Sequence, residues 1–463
     1  MDTAEKAAQR LDEYRSRGCQ RVKVVFTDVD GVLRGKYLSL AKFSKLLETG
    51  GGWCDCVFGW DLDDVLYELP GEAGYSGWHR GFPDVPFRLR VETERWLEDE
   101  HCPQFLAQFE PAEAGDAPPP CPRRLLEQAL GALAQCGPGG LTLRSGFEYE
   151  FFVFDETARS VRDKGHRELV PLTPGNFGYS ALRTATHAEL FGDLMSEAEA
   201  LRCPLEGLHT ETGPGVWEAA LAPADGLEGA DRAALFKTFA KSYFARRQLI
   251  ATFMAKWSMA VPGQSGHFHC SLIGGDGSNR FSAPDAEHGM SELQRQALAG
   301  VLKYLPQWLV MLAPTINSYT RLVPGAWAPT AATWGVENRT AAVRLIPGGE
   351  GQRLEVRVPG ADSNPYLVAA AMAAAMRLGI EQALTPPAPV TGNAYAITES
   401  LPAQMQFPAT LREATARFAA CEAARAAFGD GWVDHFARTR DWESREYERH
   451  VNDWQLGRYF ELI

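Results

Sequence analysis

GFEYEFFVF, residues 146–154, sets two carboxylates into a run of aromatic and branched side chains. Side chains alternate along a strand, so Glu148 and Glu150 fall on one face, roughly 7 Å apart along the backbone. Phe147, Tyr149 and Phe151 take the other face. Two like charges on an otherwise apolar strand are costly unless a counter-charge meets them. Divalent cations that prefer oxygen ligands, Mg²⁺ or Mn²⁺, supply that counter-charge. A solvent-facing edge strand is the bland alternative, and the flanking aromatics argue against it.

Four more stretches carry the same kind of chemistry. In HTETGPGVWEAAL (209–221), Glu211 and Glu218 flank a Thr-Gly-Pro-Gly turn that can aim both at one point. In GQSGHFHCSL (263–272), His267 and His269 share one strand face behind a glycine-rich approach. In RLEVRVPG (353–360), Arg353, Glu355 and Arg357 alternate basic, acidic, basic. NSYTRLVPG (317–325) and ENRTAAVR (337–344) add Arg321, Arg339 and Arg344. Together they describe a site of five carboxylates, one or two histidines and five arginines. Carboxylates hold cations, cations hold a polyphosphate, and arginines neutralise phosphate and carboxylate oxygens. That equipment suits phosphoryl transfer from a nucleotide. No G-x-x-x-x-G-K-[ST] loop is present, so a Walker motif does not hold the nucleotide.

A competing signal lies in VVFTDVDGVLRGKYL (24–38). An apolar strand running into Asp28-Val29-Asp30-Gly31 resembles the opening of a haloacid-dehalogenase-type phosphatase. Such an enzyme needs a second acidic pair on a later strand. The candidate, Asp430 with Asp434, follows a helical pattern ending at Gly429. The alternating strand–helix units are also missing. Asp30-Gly31 between two apolar runs reads instead as a hairpin turn.

The bulk composition is that of an ordinary globular chain. It has 463 residues, long enough for two domains, with 45% hydrophobic and 23% charged residues. A net charge of −13 and the lack of a basic run argue against nucleic acid. The nine cysteines are scattered without a C-x-x-C pair, which points to a reducing compartment and a cytoplasmic protein. The apolar run at 366–376 is too short to span a bilayer and reads as a buried helix.

A helix to Gly18, a hairpin over 21–38 and a helix near 40–48 open the chain. The Pro-rich stretch EPAEAGDAPPPCP (110–122) reads as a boundary, giving domains 1–112 and 113–463. Beyond it, 141–154 reads as a strand with a hairpin partner, and 227–256 as one amphipathic helix. Strands and helices mix without regular alternation, so the class is α+β.

In chain order, DVDGVLRGK, GFEYEFFVF, ETGPGVWE, SGHFHCSL, NSYTRLVPG, ENRTAAVR, RLEVRVPGADSNPYL and the tail DWESREYERHVNDWQLGRYFE resemble the glutamine synthetase superfamily. The resemblance implies a small N-terminal β-grasp domain, whose first hairpin is residues 24–38. A large catalytic domain with a curved antiparallel sheet and helices would follow. It implies a dodecamer of two hexameric rings, with each site between one catalytic sheet and a neighbour's small domain. One Mg²⁺ or Mn²⁺ would be held by Glu150, Glu211 and Glu218, and a second by Glu148, His267 and Glu355. Arg339, Arg344 and Arg353 would meet the phosphates of ATP and the transferred group. Arg321 and Arg357 would hold glutamate's carboxylates, with Gly263 beside it, and His269 and Ser271 would lie near the nucleotide. ATP would phosphorylate the γ-carboxylate of glutamate, and an amine would then displace phosphate.

Three departures fall around the amine. Ammonia-using members carry a Phe-Asp-Gly-Ser-Ser loop; CVFGWDLDDVLYE stands here, offering Asp61, Asp63 or Asp64 for the amine. Those members place Glu two residues after Val-Pro-Gly, where this chain has Trp327. Their Asn-Gly before the S-G-x-H stretch is Pro262-Gly263 here, which leaves open a close analogue of glutamate. The expectation is a γ-glutamyl–amine ligase acting on an organic amine. The alternatives are an ammonia-using glutamine synthetase and a catalytically silent relative. Tyr395 sits where some bacterial members are adenylylated, without enough local agreement to predict regulation.

Overall fold

The protein is described by a computed structural model covering residues 3–67, 74–113, 117–137 and 139–463. Near the N-terminus, β1 (Arg21–Thr27) and β2 (Leu33–Ser39) form the expected antiparallel hairpin. A helix at Leu40–Thr49, capped by Ser39, leads to β3 (Gly51–Cys54). Two longer strands, β4 (Asp84–Leu97) and β5 (Cys102–Phe109), complete a five-stranded sheet of order β2-β1-β5-β4-β3. The β1–β5 pair is parallel. Every residue of β5 is buried, which fits its central place. The helix lays Phe43 and Leu46 onto Phe105 and its neighbours, a β-grasp arrangement.

The second sheet is nine-stranded, with a main path β12-β13-β14-β11-β6-β8-β7. Its strands are β6 (Leu141–Phe154), β7 (Leu205–Thr210), β8 (Val216–Leu221), β9 (Ala224–Asp225), β10 (Ile250–Thr252), β11 (Gly266–Gly274), β12 (Trp334–Val336), β13 (Val343–Ile346) and β14 (Arg353–Val356). All pairs are antiparallel except β12–β13 at one edge. Along β6, Phe147, Tyr149, Phe151 and Val153 enter the main core. That core also takes the helices Leu227–Arg246, Glu292–Trp308 and Pro365–Glu381. The alanine-rich run at 366–376 is buried, as its composition predicts. Its small side chains allow a close crossing: a Cβ on Gly379 would lie 2.8 Å from the backbone of Gly300.

Two local expectations need correction. The strand 141–154 has no sequence-adjacent hairpin partner; it pairs with β8 and β11, reached only after intervening helices. The helix expected over 227–256 stops at Arg246. Gln248 turns into the left-handed region (φ 58°), and Leu249 donates to the carbonyl of Phe244, ending the helix before β10.

The Asp28–Gly31 turn is a docking device. Oδ1 of Asp28 accepts from the backbone N–H groups of Asp30 (3.1 Å) and Val32 (2.9 Å), and Oδ2 accepts from Arg34 Nε at 2.9 Å. The carbonyls of Asp28 and Val29 accept from Nδ2 of Asn364, and Asp30 pairs with buried Arg440. Gly31 has φ 83°, and a Cβ there would lie 3.2 Å from Cα of Asn364. The turn therefore joins the first sheet to the helices below the second one.

A buried ion pair reinforces that junction. Arg123 donates twice to Asp231, at 2.9 Å each, and the Tyr366 hydroxyl donates to the same carboxylate at 2.7 Å. Removing one partner of such a pair leaves a buried charge unmatched. Asp231→Ala is therefore expected to cost about 3–5 kcal/mol, read as a lowered thermal midpoint, with Asp231→Asn costing less.

Candidate functional site

Strand register builds the site. Residues facing each other across an antiparallel pair hold their side chains side by side. Here Glu150 opposes Glu218, Glu148 opposes His267, and Glu355 opposes both His269 and Arg344. On the outer side of β8, His209 opposes Glu218. One sheet face thus carries a row of acids, imidazoles and a guanidinium across six strands. Glu211 joins it from the end of β7, where its N–H donates to the carbonyl of Val216 and closes the Thr-Gly-Pro-Gly turn.

A cavity of about 500 Å³ opens above this face. All six residues expected to hold metal line it. Arg321, Arg339, Arg344, Arg357, Gly263 and Trp327 line it too. A second cavity of about 290 Å³ lies alongside, lined by His269, Ser271 and Arg353. Glu148 belongs to both walls. The residues expected near the nucleotide and those expected near the acid substrate therefore occupy adjoining chambers that meet at a carboxylate.

Electrostatics in the larger chamber are strained toward neutralisation. Glu218 is pushed up to about 9 by burial and then by Glu150, Glu148 and Glu211. Burial also raises Glu211, whose Oε2 has no hydrogen-bond partner. Burial opposes the charge on Glu148, yet His267 and His269 outweigh it and hold that carboxyl well below the usual range. Glu355 is drawn down to about 2, with His267 and then Arg357 overcoming its burial. Crowded carboxylates with unmatched oxygen atoms are what a hard cation would satisfy.

The donor atoms group into two sets. Glu148, His269 and Glu355 each offer an atom within 4.8 Å of the others, as do His209, Glu211 and Glu218. The two histidines of β11 differ in chemistry. Arg353 Nε donates to Nδ1 of His269 at 3.2 Å. A guanidinium cannot accept, so Nδ1 is unprotonated and Nε2 carries the proton. Nε2 lies 3.2 Å from Glu148 Oε2 without hydrogen-bond geometry, and with that nitrogen protonated His269 has no lone pair for a cation. His267 instead points Nδ1 midway between Glu148 Oε2 and Glu355 Oε1, 3.5 Å from each. Burial, then Arg357, lowers its pKa against the pull of Glu148 and Glu355, and loss of its proton would free a lone pair for a cation. The residues fit one cation at Glu148, His267 and Glu355, and a second near Glu211 and Glu218. Glu150 sits beside the second set, its Oε2 accepting from Ser265 N–H at 2.6 Å.

His209 was not singled out in the sequence. Its only signal is the spacing His209-x-Glu211, which places both on one face of β7. Tyr179 covers it, with ring centroids 4.4 Å apart and planes 10° from parallel.

The arginines divide by commitment. Arg344 donates to Glu355 at 2.8 Å and pairs with Glu337. Arg357 pairs with Glu355 and donates through Nε to the carbonyl of Arg339. Arg321 is buried and spends its donors on the carbonyls of Val358 and Arg357. Arg339 is exposed at the cavity and makes no ion pair among the described residues. None of Asp61, Asp63 and Asp64 lines the cavity of its own chain. Asp61 accepts from the Trp442 indole at 2.9 Å and Asp64 pairs with Arg34, while Asp63 is exposed.

Residues 119–459 match the family model "Glutamine synthetase, catalytic domain". The chain belongs to the glutamine synthetase family. A Type-1 glutamine synthetase 2 of Dictyostelium discoideum is 40% identical over 96% of this chain and 84% of its own length. A γ-glutamylethanolamide synthetase, GlnA4, of Streptomyces coelicolor is 36% identical over 96% and 93%. A glutamate–isopropylamine ligase of a Pseudomonas species is 32% identical over 98% and 97%. A solved GmaS–ADP complex superposes with a TM-score of 0.82 at 26% identity, covering 97% of this chain and 99% of that one. The glutamine synthetase fold expected from the sequence is therefore established, and the chain is an ATP-dependent carbon–nitrogen ligase of that family.

The histidine chemistry gives a direct check. Mn²⁺ titration by calorimetry is expected to show His267→Ala losing one cation and His269→Ala keeping both. Binding should release protons at neutral pH, because Glu218 is protonated below about 9 without a cation and must ionise to bind one. Affinity then rises as pH climbs toward that value.

Proposed function

We propose that the chain uses ATP to join the γ-carboxylate of glutamate, or a close analogue, to an organic amine. The observation that carries this reading is Trp327. It is 62% exposed at the cavity mouth, so it is not a packed loop residue of its own chain. Its backbone sits at φ 55°, a conformation that bulky residues adopt at a cost of order 1–3 kcal/mol. A flat indole held there in place of an acid suits an alkyl or other organic substituent, and it cannot take a proton from ammonium.

The steps follow from the residues. The γ-phosphoryl group of ATP passes to an oxygen of the acid's γ-carboxylate, and ADP leaves. The amine nitrogen attacks the acyl carbon, the acyl–oxygen bond breaks with phosphate as leaving group, and the amine proton passes to a base. Bound Mg²⁺ or Mn²⁺ would supply neutralisation and polarisation of the phosphate oxygens. Glu148, His267 and Glu355 would hold one such ion, and Glu150, Glu211 and Glu218 the other. Arg339, exposed over the cavity, would meet the transferring group, assisted by Arg344 and Arg353. Arg357 and Arg321, with Gly263, would orient the amino acid. His269 would anchor Glu148, and Ser271 would line the nucleotide chamber.

Asp63 is the least committed acid of its loop and would act on the amine of an adjacent subunit. That arrangement requires a ring, and we propose a dodecamer of two hexamers, each chain divided at residues 112 and 113. A cytoplasmic location accords with the nine free thiols, and among the described residues no helix is long and apolar enough to cross a membrane.

The 40% identity to a protein named as a glutamine synthetase favours ammonia as the second reading. An amine panel with glutamate and ATP, followed by phosphate release, separates the two. An organic amine is expected to turn over faster than ammonium; the reverse order rejects the proposal. Trp327→Glu should lower kcat/KM for the preferred amine about tenfold or more while leaving nucleotide affinity unchanged.

A further inference from the structure

Arg339 differs from the other arginines of the large cavity: it is exposed and makes no ion pair among the described residues. An uncommitted side chain can act at a fixed point only if its backbone is held. The connection that carries it, residues 337–342, has an unusual task. It joins β12 to β13, which run parallel. Parallel neighbours ordinarily need a crossover of about a dozen residues or more. This chain doubles back at once. Glu337 takes φ 51° directly after β12, and its N–H donates to the carbonyl of Leu345 at 2.9 Å. So tight a return leaves backbone groups that no strand ladder can pair.

Asn338 meets that need. Its Nδ2 donates to the carbonyls of Val390 (3.0 Å) and Gly392 (2.8 Å). Its Oδ1 accepts from the N–H of Thr340 at 2.9 Å and from the Thr340 hydroxyl at 2.7 Å. Both amide hydrogens and both lone pairs are therefore used, and these partners allow only one orientation of the amide. The Thr340 hydroxyl in turn accepts from the N–H of Ala394 at 2.9 Å. The carbonyl of Arg339 accepts from Arg357 Nε at 3.1 Å. The residues on either side of Arg339 and its own carbonyl are thus fixed, while its side chain is left at the cavity.

We propose that Asn338 is a positioning residue of the ligase reaction, holding Arg339 at the cavity with Thr340 as its partner. The inference rests on the reading of Arg339 as the group that meets the transferring phosphoryl. Asn338 itself lines neither chamber, so it acts through the backbone it fixes. A guanidinium misplaced by about 1 Å loses much of its effect on developing charge. The same bonds make the segment 390–394, remote in sequence, a support of the site.

The test is a double-mutant cycle on the full chain. ADP formation is followed with glutamate, ATP and whichever of isopropylamine, ethanolamine, putrescine and ammonium turns over fastest. Arg339→Ala is expected to lower kcat about a hundredfold or more. Asn338→Ala should lower kcat about tenfold or more, with KM for ATP and Mn²⁺ affinity within about twofold of the parent chain. Adding Asn338→Ala to Arg339→Ala should slow turnover no further, because a residue acting only through Arg339 has nothing left to hold. Thr340→Val should lower kcat about threefold or more, and Thr340→Ser, which keeps the hydroxyl, should restore it. That pair carries the test if Asn338→Ala does not fold. Losses that multiply in the double variant, or a Thr340→Val no slower than Thr340→Ser, overturn the proposal and leave the loop a structural support alone. An Arg339→Ala that keeps full kcat overturns it by a different route, since the reading of Arg339 itself then fails.

Discussion

The register of one antiparallel sheet is the constraint on which the site depends. Glu218 opposite Glu150, Glu148 opposite His267, and Glu355 opposite both His269 and Arg344 are consequences of how β8, β6, β11, β14 and β13 align. A slip of one residue in any pair would turn an acid toward the core and a phenylalanine toward the cavity. The aromatic row on the reverse face makes such a slip costly. Phe147 packs on Tyr149 and Phe268, and Phe151 packs on Phe253. Apolar packing on one side thus fixes electrostatics on the other.

Those electrostatics do not balance within the chain. Arg344 and Arg357 are spent on Glu355, while Glu211 and Glu218 keep raised pKa values. The uncompensated carboxylates line the larger chamber, and the exposed Arg339 lies on the same cavity. A fold stabilised by burial alone would not retain such a cluster, because each unpaired charge opposes stability. The cost is understandable where the group must wait for cations and phosphate.

Much of this was legible in residue spacing. Period-two alternation in GFEYEFFVF, GHFHCSL and RLEVRVPG placed the acids, imidazoles and arginines on shared faces, because strand geometry leaves no other choice. Order of the strands was not legible. β6 and β8 are separated by several helices, so nothing local names them as partners, and a hairpin was the wrong reading for the same reason. The helix 227–246 was over-extended because amphipathic pattern persists past Arg246, while its stop depends on one left-handed residue, Gln248. His209 escaped notice because its meaning comes from Glu218 across the ladder and Tyr179 above it. The Asp28–Gly31 turn was legible as a turn, but its role as a dock needed Asn364 and Arg440, which lie hundreds of residues away.

Two cations held on this sheet face beneath a nucleotide's terminal phosphate would meet the unmatched carboxylates. Anomalous diffraction from crystals grown with Mn²⁺ and a non-hydrolysable ATP analogue tests it most directly. Two peaks are expected in each site, one among Glu148, His267 and Glu355 and one among Glu150, Glu211 and Glu218. A single peak, or Mn²⁺ bound away from these six side chains, would contradict it.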